Sequence, residues 1–542
     1  YTMLNDPDGH RLNMFGGIEI TSNKQQQNFN RNYGYLFESG GFAPSPLAYE
    51  RLIYSTGLSE DEERQYGNRN LLEGTPYYVE RFRRNTVGYY FSMNYSYSNR
   101  YALDLSARND ATNVSGSSTR GKFSPTWSVG AAWNLSNESF MNGIGSQYLS
   151  DIKIRGSYGL RGNAGNRGPD MIAYRQNVLR QYTQYNTGGV KIEEPENSQL
   201  DFEKEYMFST GIDLTLMKAI DLTVNYYNRR NFDLVGYRQV AFSSGYQNKQ
   251  FNWADMRNSG YEISLNIRPI RIREDFAWRG MFNLGINRNK ILSDYRGNNL
   301  TLFDLTEPEG VPLQGAPIDG LYSFRFSRLD NKGIPMYLDG QGKEVLGFTT
   351  SDNNILNIEY QGSRSPIYSG GFTSTFSYKG LSLSTAFVFN AGHVVRKANY
   401  YRSNALSSLF ADDLSFHGDF ADRWSAPGQE EFTVYPKLLT DEDLDQYNRN
   451  GLFNESIFDG YNRNNTRTIN ASYLRLRNVS IQYNFMHLAK RFGVKNLSLG
   501  LEGSNLAIFS SGRLNGMDPE TLLTGINMPP VTSYTFSINV GF

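Results

Sequence analysis

The sequence predicts an all-β chain: an antiparallel up-and-down transmembrane β-barrel to which these residues contribute about fourteen spanning strands. Three observations predict it. Apolar and polar residues alternate with period two along almost the whole chain. The alternating segments run roughly ten residues or more, enough to cross a bilayer at a tilt. Short and long connections then take turns, the rhythm of tight turns on one side of a membrane and long loops on the other. A soluble sandwich or solenoid also alternates, but a sandwich puts its polar face outward and uses shorter strands.

Composition agrees. Aromatics are 14% of the 542 residues, as 38 Tyr and 34 Phe against 5 Trp, and 52 Gly supply turns. Mean hydropathy is −0.55 and no apolar run is long enough for a transmembrane helix, so a helical membrane protein is excluded. Lys+Arg and Asp+Glu are 54 each, so no basic surplus points to nucleic acid. There is no Cys, which excludes disulfides, thiolate metal sites and cysteine nucleophiles.

In chain order, the first hairpin turn is expected at Asn5 to His10, "NDPDGH", with about four residues ahead of it. The chain is therefore expected to open inside a strand of a longer polypeptide. "YYFSMNYSYS" then places Tyr89, Phe91, Met93, Tyr95 and Tyr97 on one face. "DIKIRGSYG" sets Ile152, Ile154 and Tyr158 against Lys153, Arg155 and Ser157. "AIDLTVNYYN" and "YEISLNIR" repeat the pattern, with Asp213, Asn225, Glu262 and Arg155 among the residues expected to face a lumen. A charge facing lipid near the midplane would cost about 2–4 kcal/mol, so the phase is well constrained.

Short joins are read at 98–100, 217–219, 378–380 and 487–494, long ones at 109–122, 161–202, 231–256, 289–366, 393–468 and 509–530. A medium join near 136–150 falls where a short one is due. Segment 321–338 reads as a hairpin with a Gly turn, placed by the rhythm as an excursion inside a long loop. In "ASYLRLRNVSIQYNF", Leu474 and Leu476 share one phase while Val479, Ile481, Tyr483 and Phe485 share the other. A strand changes phase only through an extra residue, so a β-bulge is expected near Arg477–Asn478. The last strand, "SYTFSINVGF", alternates to its end.

Read together, "GHRLNMFGGIEI", "WSVGAAWNLSNESFM", "LSDIKIRGSYGLRGNAG", "LDFEKEYMFSTGIDLTLMKAIDLTVNYYNRRNFDLV", "SPIYSGGFTSTFSYKGLSLSTAFVF", "DRWSAPG", "GSNLAIFS" and "NGMDPE" keep a family order over roughly 500 residues. In them the chain resembles the β-barrel of SusC/RagA-like TonB-dependent transporters of Bacteroidota. It departs from the family after Arg108, where "NDATNVSGSSTRGKF" stands in place of a compact loop. The resemblance implies that residues 1–542 are the C-terminal portion of a barrel of about 22 strands. About fourteen strands do not close such a barrel, so the remaining strands and an N-terminal plug are expected from polypeptide outside this sequence. Tyr534, Phe536 and Phe542 of the last strand resemble the signal that barrel-assembly machinery reads.

Candidate chemistry is sparse. The four histidines, His10, His393, His417 and His487, have no partner at metal-ligand spacing and read as isolated residues. No nucleophile elbow stands near them, so the chain is not expected to be an enzyme. Asp441, Asp443 and Asp445 alternate like a calcium loop but lack its glycine and its final glutamate. A solvated acidic loop is the plainer reading, with a loop-stiffening Ca²⁺ as the sharper one and no other cofactor expected. Loop aromatics Tyr182, Tyr185, Tyr400, Tyr401, Trp424 and Tyr435 could stack on sugar rings or peptide side chains; simple loop packing is the alternative.

What the resemblance implies is active import of oligosaccharides or oligopeptides across the outer membrane. It implies a SusD-like surface lipoprotein as lid, the TonB complex acting through the plug, and lipid or lipopolysaccharide around the wall. A passive porin, and a scaffold or adhesin in a larger outer-membrane assembly, are the competing readings.

Overall fold

A computed structural model describes residues 2–5, 9–30, 35–36, 41–42, 77–113, 123–141, 148–163, 173–179, 187–194, 200–239, 248–273, 275–294, 300–349, 351–401, 418–452, 459–485, 491, 493–524 and 528–541. Fifteen strands form one sheet. They are β1 (Thr2–Asn5), β2 (His10–Asn30), β3 (Tyr77–Tyr97), β4 (Tyr101–Thr112), β5 (Phe123–Asn134) and β6 (Leu149–Asn163). Then come β7 (Glu203–Leu216), β8 (Ile220–Gln239), β9 (Asn248–Arg273), β10 (Phe276–Asp294) and β11 (Tyr368–Tyr378). The wall ends with β12 (Leu381–Ala391), β13 (Tyr473–Asn484), β14 (Asn496–Ser510) and β15 (Ser533–Gly541). Each strand pairs only with its neighbours in this order, so the wall runs up and down without a crossover. β1 is the four-residue stub and the other fourteen are the full strands the sequence predicts. Among the described residues β1 and β15 do not pair with each other, so the sheet has two open ends.

The register builds two continuous surfaces. On one, Ile154 lies opposite Ile212, Ile212 opposite Val224, Val224 opposite Ile263, and Ile263 opposite Leu284. The same surface continues through Phe282 opposite Phe372 and Phe372 opposite Phe387, and further on Ile481 opposite Leu501 and Leu501 opposite Phe536. On the other, Lys153, Asp213, Thr223, Ser264 and Asn283 follow one another from strand to strand. Large apolar residues of the first surface stay exposed, among them Ile18, Ile20, Val129, Tyr158, Phe372, Leu501 and Phe536. Such a surface is stable facing hydrocarbon, where antiparallel pairing satisfies the backbone internally.

Tight turns join strands at one end of the wall. Ser98–Asn99, Met217–Lys218 and Lys379–Gly380 all take positive φ, the twist that a two-residue hairpin needs. The fourth expected short join, 487–494, falls largely outside the described residues. The medium join contains two 3₁₀ turns, Leu135–Asn137 and Ser139–Met141.

The bulge lies where the phase change requires it. Pairing shifts register between Leu476 and Asn478 on both sides of β13, which leaves Arg477 as the extra residue. The excursion is also present. Gly320–Leu329 pairs with Pro335–Leu338 through a turn at Gly333, inside a four-stranded sheet separate from the wall. Several wall strands run further into the expected joins, β4 to Thr112 and β10 to Asp294 among them. The wall strands continue through much of 231–256, with Gly236 opposite Phe251, interrupted by a register shift at Asn231–Leu234 where Asp233 has φ +57. Likewise β6 runs to Asn163, past the start of the join read at 161–202.

The compact apolar cores lie in the long connections. One joins Ile334, Tyr400, Tyr401, Leu439, Leu444, Tyr447, Leu452 and Tyr461; the other joins Leu302, Leu305, Val311, Tyr322, Phe324, Tyr337, Phe348 and Ile358. Together they make a loop module on the side opposite the tight turns.

Phase assignment makes a direct expectation. Ile263→Lys should destabilise the folded wall by about 2–4 kcal/mol, while Ser264→Lys one residue on should be tolerated. Denaturant titration of both variants in lipid vesicles checks it, and equal losses would contradict the two-surface reading.

Candidate functional site

The polar surface is laced with paired charges from adjacent strands. Arg155 on β6 donates to Asp213 at 3.1 Å and to Asn225 at 2.7 Å, and the Thr223 hydroxyl donates to the same Asp213 at 2.9 Å. Arg108 on β4 bonds Asp110 at 2.8 Å and reaches Glu19 on β2 at 2.8 Å. Arg268 forks onto Asp221, both contacts at 2.9 Å. Away from this surface, at the loop end of β7 and in phase with Ile212, Lys204 bridges Asp201 and Asp233 at 2.8 Å each. Between these groups run hydroxyl pairs, Ser106–Ser128, Thr375–Ser384 and Ser377–Ser382. The ion pairs are partly exposed and each adds little stability. Their effect is a wetted wall whose charges are locally balanced, suited to line an aqueous path or to hold a polar filling.

The loop module is tied together by charges of a different kind. Asp419 is buried and receives Arg467 at 2.7 Å and Lys397 at 3.1 Å. Arg396 donates to the Tyr322 carbonyl at 2.5 Å, the Ser323 hydroxyl at 3.0 Å and the Thr306 carbonyl. Arg475 on β13 reaches Asp518 at 2.5 Å, and Arg477 reaches Glu520 at 2.9 Å. These contacts fasten segments far apart in sequence to one another and to the wall. Sequence reasoning did not single them out, because nothing local marks which of the acidic and basic loop residues meet.

The expected ligand-stacking aromatics fare unevenly. Tyr400 and Tyr401 are core residues, with 4% and 3% exposure, and their hydroxyls donate to the carbonyls of Pro436 at 2.9 Å and Lys437 at 2.5 Å. In this conformation both side chains pack inside the module. Trp424 presses its ring against Gly333, where φ is +75 and a Cβ would lie 2.4 Å from the indole, and it donates to Glu430 at 3.0 Å. Tyr435 stacks on Tyr400 with centroids 6.0 Å apart. Tyr400, Tyr401 and Tyr435 thus share one cluster and the Trp424 backbone N–H donates to the Tyr435 carbonyl at 2.9 Å beside it, while Tyr182 and Tyr185 lie outside the described residues. Tyr534 and Phe536 stand exposed on the apolar surface of β15; Phe542 lies outside the described residues.

The acidic run is a helix, not a solvated loop: Asp441–Arg449 is α-helical. Asp443 accepts from the Thr440 backbone and hydroxyl at 2.8 Å each and from Lys437 at 2.9 Å, a capping role at the helix start. Among the described residues no three acidic or histidine side chains gather closely enough to hold a metal ion. Of the histidines, His10 contacts the Tyr95 hydroxyl at 2.8 Å, and His417 and His487 lie outside the described residues. His393 is 1% exposed, and neither ring nitrogen has a hydrogen-bond partner among the described residues. Burial pushes its imidazole down to about 4.

With that geometry in place, the family described as TonB dependent receptor-like, beta-barrel matches residues 1–330. The chain belongs to this family. The barrel is SusC/RagA-like: it is 24% identical to TonB-dependent receptor SusC of Bacteroides thetaiotaomicron over 63% of this chain and 38% of SusC. It is 26% identical to TonB-dependent receptor P26 of Formosa agariphila over 80% of this chain and 42% of that protein. Among solved structures, the RagAB peptide transporter superposes with a TM-score of 0.69 at 21% identity, over 96% of this chain and 52% of that one. The RagAB peptide importer in its open-open state gives 0.69 at 19% identity, over 100% and 54%. This receptor barrel spans about half the length of the curated relatives it matches.

Two outcomes test the module. Asp419→Ala leaves Arg467 and Lys397 buried without their shared anion, a loss of about 3–5 kcal/mol. Limited proteolysis should cut the loop module early while the wall keeps its resistance. For His393, folded and unfolded forms are both neutral above about pH 6.5. As pH falls from there toward 4, the unfolded module takes up a proton that the buried ring refuses, so stability drops across that window. His393→Asn should remove that part of the pH dependence, measured by amide exchange of the module at pH 7 and pH 5.

Proposed function

We propose that this sheet is part of the wall of a TonB-dependent outer-membrane importer that takes up oligosaccharides or oligopeptides. In this reading polypeptide outside these residues supplies the remaining strands and a plug. A SusD-like surface lipoprotein covers the module side and hands over the ligand. The single observation that supports it best is the split wall: one surface apolar from β2 to β15, the other lined by balanced charges and hydroxyls.

That arrangement fits a water-filled or plugged lumen bounded by lipid. It needs no bond chemistry from the chain. Capture follows from differential affinity of the ligand for open and closed arrangements of the lid, and energy enters through the plug. The likeness in fold to a peptide importer makes oligopeptides one cargo to be tried, with oligosaccharides beside them.

Uptake of labelled oligosaccharide and oligopeptide mixtures by cells carrying the full-length protein tests the reading. Energised uptake that disappears when TonB is deleted is the expected outcome. Uptake that persists without TonB would assign a passive porin instead, and no uptake under either condition would assign a scaffold.

A further inference from the structure

On the polar surface Arg155 meets Asp213 and Arg268 meets Asp221. One place on the opposite surface gathers charge of a single sign. Arg230 on β8 lies directly opposite Arg257 on β9, and Arg257 lies directly opposite Lys290 on β10. Arg288, one register row nearer the tight turns, lies opposite Ser259. All four cationic side chains are exposed. Among the described residues none of them has a carboxylate within ion-pair distance; Arg230 only spreads over the Phe232 ring at 4.4 Å. Acids closer to the loop end are engaged elsewhere, Asp201 and Asp233 by Lys204, and Asp255 by the Asp233 N–H at 3.3 Å. Like charges directly opposite one another on paired strands repel, so this row costs stability that nothing within the described residues returns.

The strand phase places the row. Ile220, Leu222, Val224 and Tyr226 belong to the apolar surface of β8, and Arg230 continues that phase. Ile267, Leu265, Ile263 and Tyr261 do the same on β9 ahead of Arg257. Tyr226 lies opposite Tyr261 and Tyr261 opposite Ile286, the last apolar row, with the two tyrosine rings 5.1 Å apart. Arg288 stands one row beyond it and the other three cations stand two rows beyond it. Ile220 adjoins the Met217–Lys218 turn, so the cations lie toward the opposite, outer end. Ten residues separate Ile220 from Arg230, about 33 Å of strand and about 25 Å of depth at a tilt of about 40°. That is about the height of the apolar band of an outer-membrane barrel, which puts the four cations level with the headgroups of the outer leaflet.

We propose that Arg230, Arg257, Arg288 and Lys290 form a discrete phosphate-binding site on the outside of the wall, occupied by a phosphorylated glycolipid of the outer leaflet, lipid A. Guanidinium groups fork onto phosphate oxygens, and an ammonium group adds a point charge. A phosphate seated at Arg257 turns two repulsive cross-strand pairs into shared contacts. Strands lie about 4.8 Å apart, so the patch is about 10 Å across. Four uncompensated cations over that span match a headgroup with more than one phosphate better than a phospholipid's single one. The site is local: in the same register row the preceding strands carry Tyr206 and Leu160, without charge. The apolar row directly beneath the cations selects a ligand that arrives in the plane of the membrane. The inference rests on the lipid-facing assignment of the apolar surface and is independent of whether cargo moves.

The test uses the full-length protein in detergent, stripped of lipid. Its probes are bisphosphorylated lipid A, the same glycolipid with its phosphates removed, and phosphatidylglycerol. Titration followed by native mass spectrometry gives lipid affinity, and thermal unfolding gives the stability response. Arg257→Glu places a carboxylate between Arg230 and Lys290, and Lys218→Glu makes the same charge change at the tight-turn end. Without lipid, Arg257→Glu is expected to unfold at a higher temperature than the unaltered protein, because the repulsion is gone. With lipid A, the unaltered protein and Lys218→Glu are expected to gain stability and to bind several-fold more tightly than Arg257→Glu. Equal lipid A affinity in all three proteins overturns the site. A lower unfolding temperature for lipid-free Arg257→Glu also overturns it, since Arg257 then holds a partner within the protein. Phosphatidylglycerol or the dephosphorylated glycolipid binding as tightly as lipid A overturns the assignment to a glycolipid phosphate. None of these readings involves uptake, so failure here leaves the import reading standing, and failure of import leaves this site standing.

Discussion

Inside a bilayer no water is present to satisfy a backbone N–H or C=O, and that constraint organises this chain. Each segment that crosses must find its partners in the strands beside it. Antiparallel pairing of consecutive strands does this with the shortest connections, and β1 to β15 follow one another without a crossover. The period-two pattern is a consequence: alternate residues meet hydrocarbon and water. The same constraint gives the two open ends their meaning. Among the described residues the outer edges of β1 and β15 have no partner strand, and such an edge is costly in lipid, which is why further wall strands are proposed.

The loop module obeys a different rule. It has its own buried core and spends that burial on packing, so its apolar residues gather by contact and not by alternation. Here charge is handled by enclosure. Lys397, Asp419 and Arg467 form a buried cluster whose desolvation is offset only if each group keeps its partners. On the wall, by contrast, Arg155 and Asp213 or Arg268 and Asp221 remain in reach of water and cost little to hold. The module is therefore the more brittle of the two parts: one lost carboxylate can loosen it, whereas the wall can absorb many lumen substitutions.

What could be read from the sequence follows this division. Strand phase, the stub before the first turn and the bulge at Arg477 were legible because lipid imposes a rule that every crossing residue must satisfy, and the excursion at 321–338 was legible because the short–long rhythm of the joins left it no place in the wall. The continuation of β8 and β9 through 231–239 and 248–256 was not. Beyond the bilayer both faces of a strand are wet, so the pattern fades while pairing persists. Tyr400 and Tyr401 could not be told from ligand aromatics, since their burial depends on Asn462, some 61 residues away. Its side chain accepts from both backbone N–H groups at 2.8 and 3.0 Å and donates back to the Tyr401 carbonyl at 2.7 Å. Asp443 misled for a simpler reason: alternation over three acids says nothing about a helix whose start one of them caps.

The bulge joins the two regimes. Arg477 is an extra residue on β13, present so that Leu474 and Leu476 can share a surface with Val479 and Ile481. An extra residue is also one whose side chain is released from the ladder's strict alternation. Arg477 uses that freedom to reach Asn505 at 3.1 Å, itself at φ +54 on the neighbouring strand, and Glu520 in the short helix Pro519–Thr524. Two residues earlier, Arg475 grips Asp518 at the start of the same helix. The irregularity that keeps the greasy face continuous is thus also the place where a long connection is fastened to the wall. A single insertion meets both needs because it sits near the upper end of β13, where lipid stops dictating phase and the loops begin.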